Sequence, residues 1–320
     1  MAERTVRVGV VGVGHLGALH ASKYAACAGA DLALVFDTDG DRAREIARLH
    51  GCATAGSLAE LLAAVDAVSI AVPTSDHVDV GLRAAEAGVH MLIEKPLAAD
   101  TTSAERLAAT ARACGVMVQV GHLERFNPVF VDLHAIVDRP RFVECHRLAP
   151  FAGRGADTNV VFDVMIHDLD LIAYLVGRPV ARVEAVGVPV LSEHVDIANA
   201  RIRFEGGCIA NVTASRVSLK RERKLRVFQE DTYVSVDFDA RNAVVATRRK
   251  APSGSTAGPM DAIEVEQRSF GEADPLAAEI AAFIESIASG RPPRVGLDEG
   301  LQALAIADRV VEALELPEDP

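Results

Sequence analysis

The chain of 320 residues sets 33 lysines and arginines against 45 aspartates and glutamates, a formal net charge of −12. That balance argues against nucleic acid or an anionic membrane as a general partner, and it obliges any acidic ligand to find a local patch of cations. Half of the residues are apolar, enough for two domains of ordinary size.

Residues 6–37, VRVGVVGVGHLGALHASKYAACAGADLALVFD, read as an apolar strand, the glycines Gly12, Gly14 and Gly17, a helix, a second strand and a terminal Asp37. This is the order of a dinucleotide-binding βαβ unit. Its glycines allow a tight turn, close approach of the backbone to a pyrophosphate, and close packing of helix on strand. The diphosphate of such a ligand sits over the helix N-terminus, so Gly12, Gly14, His15, Leu16 and Gly17 are expected to line it. A carboxylate at the end of the second strand accepts hydrogen bonds from ribose hydroxyls and repels a 2′-phosphate. Asp37, followed by Thr38, therefore favours NAD over NADP, with Arg42 the first base able to swing in.

From residue 6 to about 121, the runs VRVGVV, LALVF, AVSIAV, HMLIEKP and VMVQVG alternate with helical patterns, as in a parallel sheet covered on both faces. After Pro128 a helix (PVFVDLHAIVD) leads into β-branched, alternating runs: ARVEAVGVPVL, VDIANARIRF, CIANVTASRV, KLRVFQ, TYVSVDF and AIEVEQRSF. These predict successive antiparallel strands, with SGSTAGP at 253–259 as a hairpin tip and two closing helices from Pro275 and from Asp298. The expected fold class is α/β: a Rossmann domain over residues 1–122, then an α+β domain with an open, mainly antiparallel sheet over 123–320, its last helix packing back on the first domain. An open sheet leaves one face to be covered, so a homodimer or homotetramer is expected. Five cysteines (Cys27, Cys52, Cys114, Cys145, Cys208) are odd in number and lack a CxxC pair, so no disulfide framework and no metal is expected. No leader-like stretch and no bilayer-length apolar run is seen, which predicts a cytoplasmic protein.

Two groups of residues carry chemistry. Glu94, Lys95 and Pro96 end a parallel strand, at the sheet edge where ligands bind in such folds. Proline there stops helix formation and permits a cis bond that can aim the ammonium at a ligand. Downstream, in VFDVMIHDLDLIAYLVG, Asp163 and His167 are four apart and would share a helical face. A carboxylate beside an imidazole raises its basicity and orients it, as a general base requires. Asp168 and Asp170 are expected to be solvated or structural.

With these motifs the chain resembles the Gfo/Idh/MocA oxidoreductases: the glycine turn with His20 after it, VPTSDH with Pro73 and His77, EKP at 94–96, GHLERFNP at 121–128, and the Asp163/His167 pair. The resemblance implies a Rossmann domain, an open sheet used in oligomer contacts, and NAD-dependent oxidation of a sugar or cyclitol hydroxyl. Carried over by position, Lys95 hydrogen-bonds the reacting hydroxyl, His167 is the base, Asp163 orients the site, and Pro73, Thr74, His77, Glu94 and Lys95 surround the nicotinamide. Lys95 and His167 could exchange the role of base. The glycine-rich lead GGGxxxDxGxH of many members is replaced here by TNVVFDVMIH.

In that feature and in HRLAPFAGR and CIANVTASRVS the chain is similar to bacterial members that oxidise the 3-hydroxyl of UDP-N-acetylglucosamine, whose 3-keto product is aminated for lipid A. A UDP-linked sugar needs cations, and arginine forks suit phosphate oxygens. Arg125 and Arg154 are the preferred pair, with Asn127 beside them and Arg216 and Lys220 further candidates. An inositol or free-sugar dehydrogenase is the near alternative. An NAD-binding regulator without catalysis is the alternative of another class.

Overall fold

The computed structural model describes residues 5–151, 158–249 and 262–315. The chain divides into two compact units, Met1–Phe126 with Asp274–Leu304, and Asn127–Ala273 with Ala305–Pro320.

The first unit begins with β1 (Val6–Val11), α1 (His15–Ala26), β2 (Ala30–Phe36), α2 (Gly40–His50), β3 (Ala53–Thr54) and α3 (Leu58–Ala64). It continues with β4 (Ala67–Ile70), α4 (Thr74–Glu86), β5 (His90–Glu94), α5 (Thr101–Ala113) and β6 (Val118–Gly121). All neighbours in its sheet are parallel, in the order β3-β2-β1-β4-β5-β6. The order reverses between β1 and β4, which makes the carboxyl ends of those strands the crevice where ligands bind in doubly wound sheets. Every residue of β4 and β6 is buried, as expected for strands with helices on both faces. Helix starts are fixed by side chains: Asp39 accepts from the Asp41 and Arg42 amides, Ser57 from Glu60, and Asp100 from Ser103. The two-residue β3 has no counterpart in the sequence reading.

The second unit opens with α6 (Pro128–Ile136) and β7 (Phe142–Leu148). A π-helical turn, Val161–Met165, then runs into α7 (Ile166–Val176). Seven strands follow: β8 (Val180–Val188), β9 (Ile197–Phe204), β10 (Ile209–Ser215), β11 (Glu222–Gln229), β12 (Thr232–Asp237), β13 (Asn242–Arg248) and β14 (Ile263–Ser269). The chain next enters α8 (Pro275–Ser289), which returns to the first unit, and α9 (Leu297–Glu312), which the unit boundary divides after Leu304, before β15 (Leu314–Glu315). The second sheet has nine strands in the order β14-β13-β12-β11-β7-β10-β9-β8-β15.

Three expectations are corrected here. The second sheet is not a plain succession of hairpins, because β7 lies between β10 and β11 and runs parallel to β10, and β15 runs parallel to β8. In β7 the inward residues are Val143, Cys145 and Arg147. The inward arginine breaks the apolar alternation, and its guanidinium meets Asp168 of α7 at 2.7 to 3.1 Å. The unit boundary falls after Phe126 rather than after residue 122, and residues 274–304 belong to the first unit. The apolar stripe Ile280, Phe283 and Ile284 of α8 completes the core around Val6, Val8, Val10 and Tyr24. The hairpin tip expected at 253–259 lies outside the described residues. Among the described residues no helix is long and apolar enough to cross a membrane.

Close packing of α1 on β1 depends on Gly17. A Cβ there would lie 1.7 Å from the carbonyl oxygen of Gly12, itself at φ +79°. Gly17→Ala is therefore expected to cost about 2 kcal/mol or more, since a buried overlap must be relieved by moving backbone. Gly14→Ala places its methyl in open space and is expected to stay within about 1 kcal/mol of the parent. Denaturant unfolding of the two variants checks the contrast, and equal stabilities would refute it.

Candidate active site

The glycine turn is held from two sides. The Gly12 amide donates to the Phe36 carbonyl at 2.8 Å, and the Val13 amide to Asp37 Oδ2 at 2.7 Å. The other Asp37 oxygen accepts from the Asp39 amide at 2.9 Å. Helix α1 starts at Gly14, which supplies no side-chain cap, and a Cβ at Gly14 would meet nothing within 4 Å. Gly14, His15 and Leu16 are exposed there, Leu16 at 44%. An uncapped helix N-terminus with open space over a glycine suits a dinucleotide's diphosphate, so the residues fit NAD. Arg42 does not reach outward: its Nε donates to the Val13 carbonyl at 3.0 Å and Nη1 to Glu45 at 2.6 Å.

At the end of β5 the side chains do something other than expected. Glu94 is buried, and its Oε1 accepts from His20 Nε2 at 2.8 Å while the Lys95 amide lies 3.3 Å from Oε2. Gly121 on the neighbouring strand leaves the room, since a Cβ there would come within 3.0 Å of Glu94 Oε2. Burial alone would raise the Glu94 carboxyl, but the His20 hydrogen bond and the Lys95 charge hold it below the usual carboxylate range. Ser69 Oγ then joins His20 Nδ1 at 3.0 Å to the Tyr24 hydroxyl at 2.9 Å. His77 is equally enclosed, with Nδ1 2.9 Å from the Pro96 carbonyl oxygen and Nε2 3.0 Å from that of Val72. Burial lowers its pKa, against the pull of those two carbonyls. Glu94 and His77, expected on the cofactor, are thus inside the frame: they hold the ends of β4 and β5, while Pro73, Thr74 and Lys95 remain partly or fully exposed. The Lys95–Pro96 bond is cis.

In the second unit, Asp163 lies in the π turn and His167 in the first turn of α7, so the α-helical spacing assumed for the pair does not hold throughout. The Ile166 amide bonds the Val161 carbonyl, an i to i+5 closure that widens the turn by one residue. Both side chains stay partly exposed, whereas Val161, Met165, Ile166, Asp168 and Leu169 around them are buried. Asp168 is structural through Arg147, and Asp170 is buried.

The expected phosphate ligands fare unevenly. Arg125, on the turn Leu123–Phe126, is only 2% exposed. Asn127 accepts from the Val129 amide at 3.1 Å and so caps α6. Arg216 is buried against Asp196 at 2.7 Å and Ser192 at 3.1 Å, and Lys220 pairs with Glu222 at 3.1 Å. Arg154 lies outside the described residues. The row Tyr24–Ser69–His20–Glu94 was not read from the sequence as a network. Its signal was there: His20 and Tyr24 are four apart on the buried face of α1, where apolar residues are the norm. Among the described residues no group of three metal-binding side chains occurs.

Comparison with known proteins agrees with this geometry. Residues 6–122 match the Gfo/Idh/MocA oxidoreductase family, NAD-binding Rossmann fold, and residues 131–235 match the Gfo/Idh/MocA C-terminal domain. UDP-N-acetylglucosamine 3-dehydrogenase of Acidithiobacillus ferrooxidans is 42% identical over 97% of this chain and 97% of its own. A solved structure of that enzyme superposes with a TM-score of 0.90 over 97% of both chains, at 40% identity. Myo-inositol 2-dehydrogenase of Thermotoga maritima is 26% identical over 97% of this chain and 96% of its own. The chain belongs to the Gfo/Idh/MocA oxidoreductase family and carries that family's NAD-binding Rossmann domain.

Proposed function

We propose that the protein oxidises the 3-hydroxyl of UDP-N-acetylglucosamine to the ketone with NAD. The observation that carries this reading is the 42% identity to a UDP-N-acetylglucosamine 3-dehydrogenase along nearly the whole of both chains, against 26% to an inositol dehydrogenase. The product is a ketone of the kind a transaminase converts to an amino sugar. Bound NAD supplies the hydride acceptor. Gly12, Gly14 and Gly17 receive its diphosphate on the N-terminus of α1, and Asp37 accepts from its ribose. Lys95, on the strand end fixed by Glu94, donates to the hydroxyl oxygen and steadies the alkoxide as charge develops there. His167 removes the hydroxyl proton, with Asp163 one turn away to orient the ring. Arg154 meets the phosphates of the sugar nucleotide.

His167→Ala is expected to lower kcat by roughly 10²- to 10⁴-fold and to remove the acidic limb of the pH–rate profile, on which a general base takes on a proton. A normal profile at near-normal rate would move the role of base to Lys95. For the substrate, purified enzyme and NAD are supplied with UDP-N-acetylglucosamine, N-acetylglucosamine and myo-inositol side by side. NADH should form with the first, and the KM for that sugar should rise with salt and rise about tenfold to a hundredfold in Arg154→Ala, with NAD binding unchanged. Turnover of only the two uncharged compounds would give the site to a free sugar or cyclitol. No turnover of any polyol would leave an NAD-binding regulator.

We further propose that the protein is a homodimer or homotetramer joined through the nine-stranded sheet. On the face opposite its buried residues, Phe142, Phe228 and Tyr233 form a row with ring centroids 5.5 and 4.9 Å apart, and Phe228 is 37% exposed. Light scattering at about micromolar concentration should give two or four times the chain mass of 33.9 kDa, and a monodisperse monomer would refute the assembly.

A further inference from the structure

The helix that returns to the first unit carries a charged residue where none is expected. Glu279 of α8 is 0% exposed, and both of its carboxyl oxygens lack a hydrogen-bond partner among the described residues. Gln119 of β6 is equally buried. Its amide nitrogen donates to the Glu279 main-chain carbonyl at 2.9 Å, and its own Oε1 is without a partner. Three orphaned polar atoms therefore lie along one strand–helix seam, in a core where an unmet carboxylate would cost several kcal/mol.

The groups around this seam fix which form Glu279 takes. Helix α1 and the turn Leu123–Phe126 pack against α8. From α1 come Tyr24 and His20, from β5 comes Glu94, and from the turn come Glu124 and Arg125, all buried. Burial first, and the Glu94 charge second, push the Glu279 carboxyl well above the usual range. Glu94 itself is held in its charged form from the other side by His20 and Lys95. The surroundings thus drive the two buried carboxyls apart, Glu279 toward the neutral form and Glu94 toward the charged one.

We propose that Glu279 is a positioning residue, a neutral acid that directs its proton along the seam toward Gln119 Oε1 and sets no second charge from α8 beside Glu94. An ionised Glu279 would favour a proton on Glu94 and weaken its charge-assisted bond to His20, whereas a neutral Glu279 leaves that bond intact. The seam thereby keeps in place the strand end from which Lys95 projects. The kinetic part of this proposal rests on the assignment of Lys95 to the reaction; the spectroscopic and stability parts do not.

The test uses the full-length chain and the variants Glu279→Gln, Glu279→Leu and Gln119→Leu. In infrared difference spectra the wild type should show the carbonyl stretch of a buried protonated carboxylic acid at neutral pH, absent in Glu279→Gln and shifted in Gln119→Leu. A folded-state acid that keeps its proton to higher pH than the unfolded chain makes stability fall as pH rises between the two values. The Tm of the wild type should accordingly fall relative to that of Glu279→Gln from about pH 5 upward, the two converging below the ordinary glutamate range near pH 4.3. Glu279→Leu should lower kcat several-fold at unchanged KM for NAD, Glu279→Gln should restore it, and the alkaline limb of kcat should move to higher pH in Glu279→Gln. If no acid band is lost in Glu279→Gln, or if the two Tm–pH curves run parallel, Glu279 is charged and the proposal fails. If both appear but kcat is indifferent to Glu279→Leu, the positioning role fails while the neutral acid stands.

Discussion

One buried carboxylate organises the reactive end of the first unit. Glu94 would be a liability in the core on its own, because a charge removed from water costs several kcal/mol unless it is met by donors. Here it is met by His20 Nε2 and flanked by the Lys95 amide, and His20 is in turn linked through Ser69 to Tyr24. The row crosses from α1 over β4 to β5, so the helix that presents the glycine turn and the strand that presents Lys95 are fixed to each other by side chains as well as by the sheet. His77 of α4 lies between the Val72 and Pro96 carbonyl oxygens, to one of which its neutral ring donates. The glycine turn and the Lys95 strand end are therefore parts of one frame within this unit.

The second unit reaches the same end with arginine. Arg147 points inward from β7 and grips Asp168, the residue after His167. That pair sets the rotation of α7: with Asp168 and Leu169 turned inward, Asp163 and His167 are left on the partly exposed side. Removing one partner of such a pair strands the other charge, which is why it fixes geometry more firmly than an apolar contact of equal size. A second case closes the loop before β9. Asp196 accepts from the Val190, Leu191 and Ser192 amides and from Arg216, and although burial opposes it, these donors hold its carboxyl far below the usual range.

Local patterns were legible in the sequence, and remote pairings were not. The glycine turn, the alternating helices and strands to residue 121, and the Lys95 and Asp163/His167 motifs each lie within a short window where periodicity or spacing speaks directly. His20 and Glu94 are 74 residues apart, Arg147 and Asp168 are 21, and Arg216 and Asp196 are 20. A charged residue in sequence looks solvated until its partner is placed. For that reason β7 was hidden by its inward arginine, and Arg216 stood among the further candidates for a phosphate. The destination of α8 was hidden differently: its apolar stripe states that one face is covered, but two sheets were available to cover it. Asn127 caps α6 with the same side-chain oxygen that a ligand contact would use, so the sequence does not separate the two.

The glycine turn is fastened by the same matching of donors and acceptors. Asp37 has two oxygens, one on the Val13 amide and one on the Asp39 amide, and a carboxylate with about four acceptor sites can still receive ribose hydroxyls. A phosphate in that place would meet a charge that the glycine turn itself needs. The nearest base, Arg42, is no remedy, because its guanidinium is held by the Val13 carbonyl and by Glu45. Turning it outward would break both bonds and leave that carbonyl unmet beside the diphosphate. Asp37 and Arg42 are thus both engaged in fastening the turn. A replacement of Asp37 by a residue without an acceptor would leave the Val13 amide without its partner and so loosen the turn on which α1 begins.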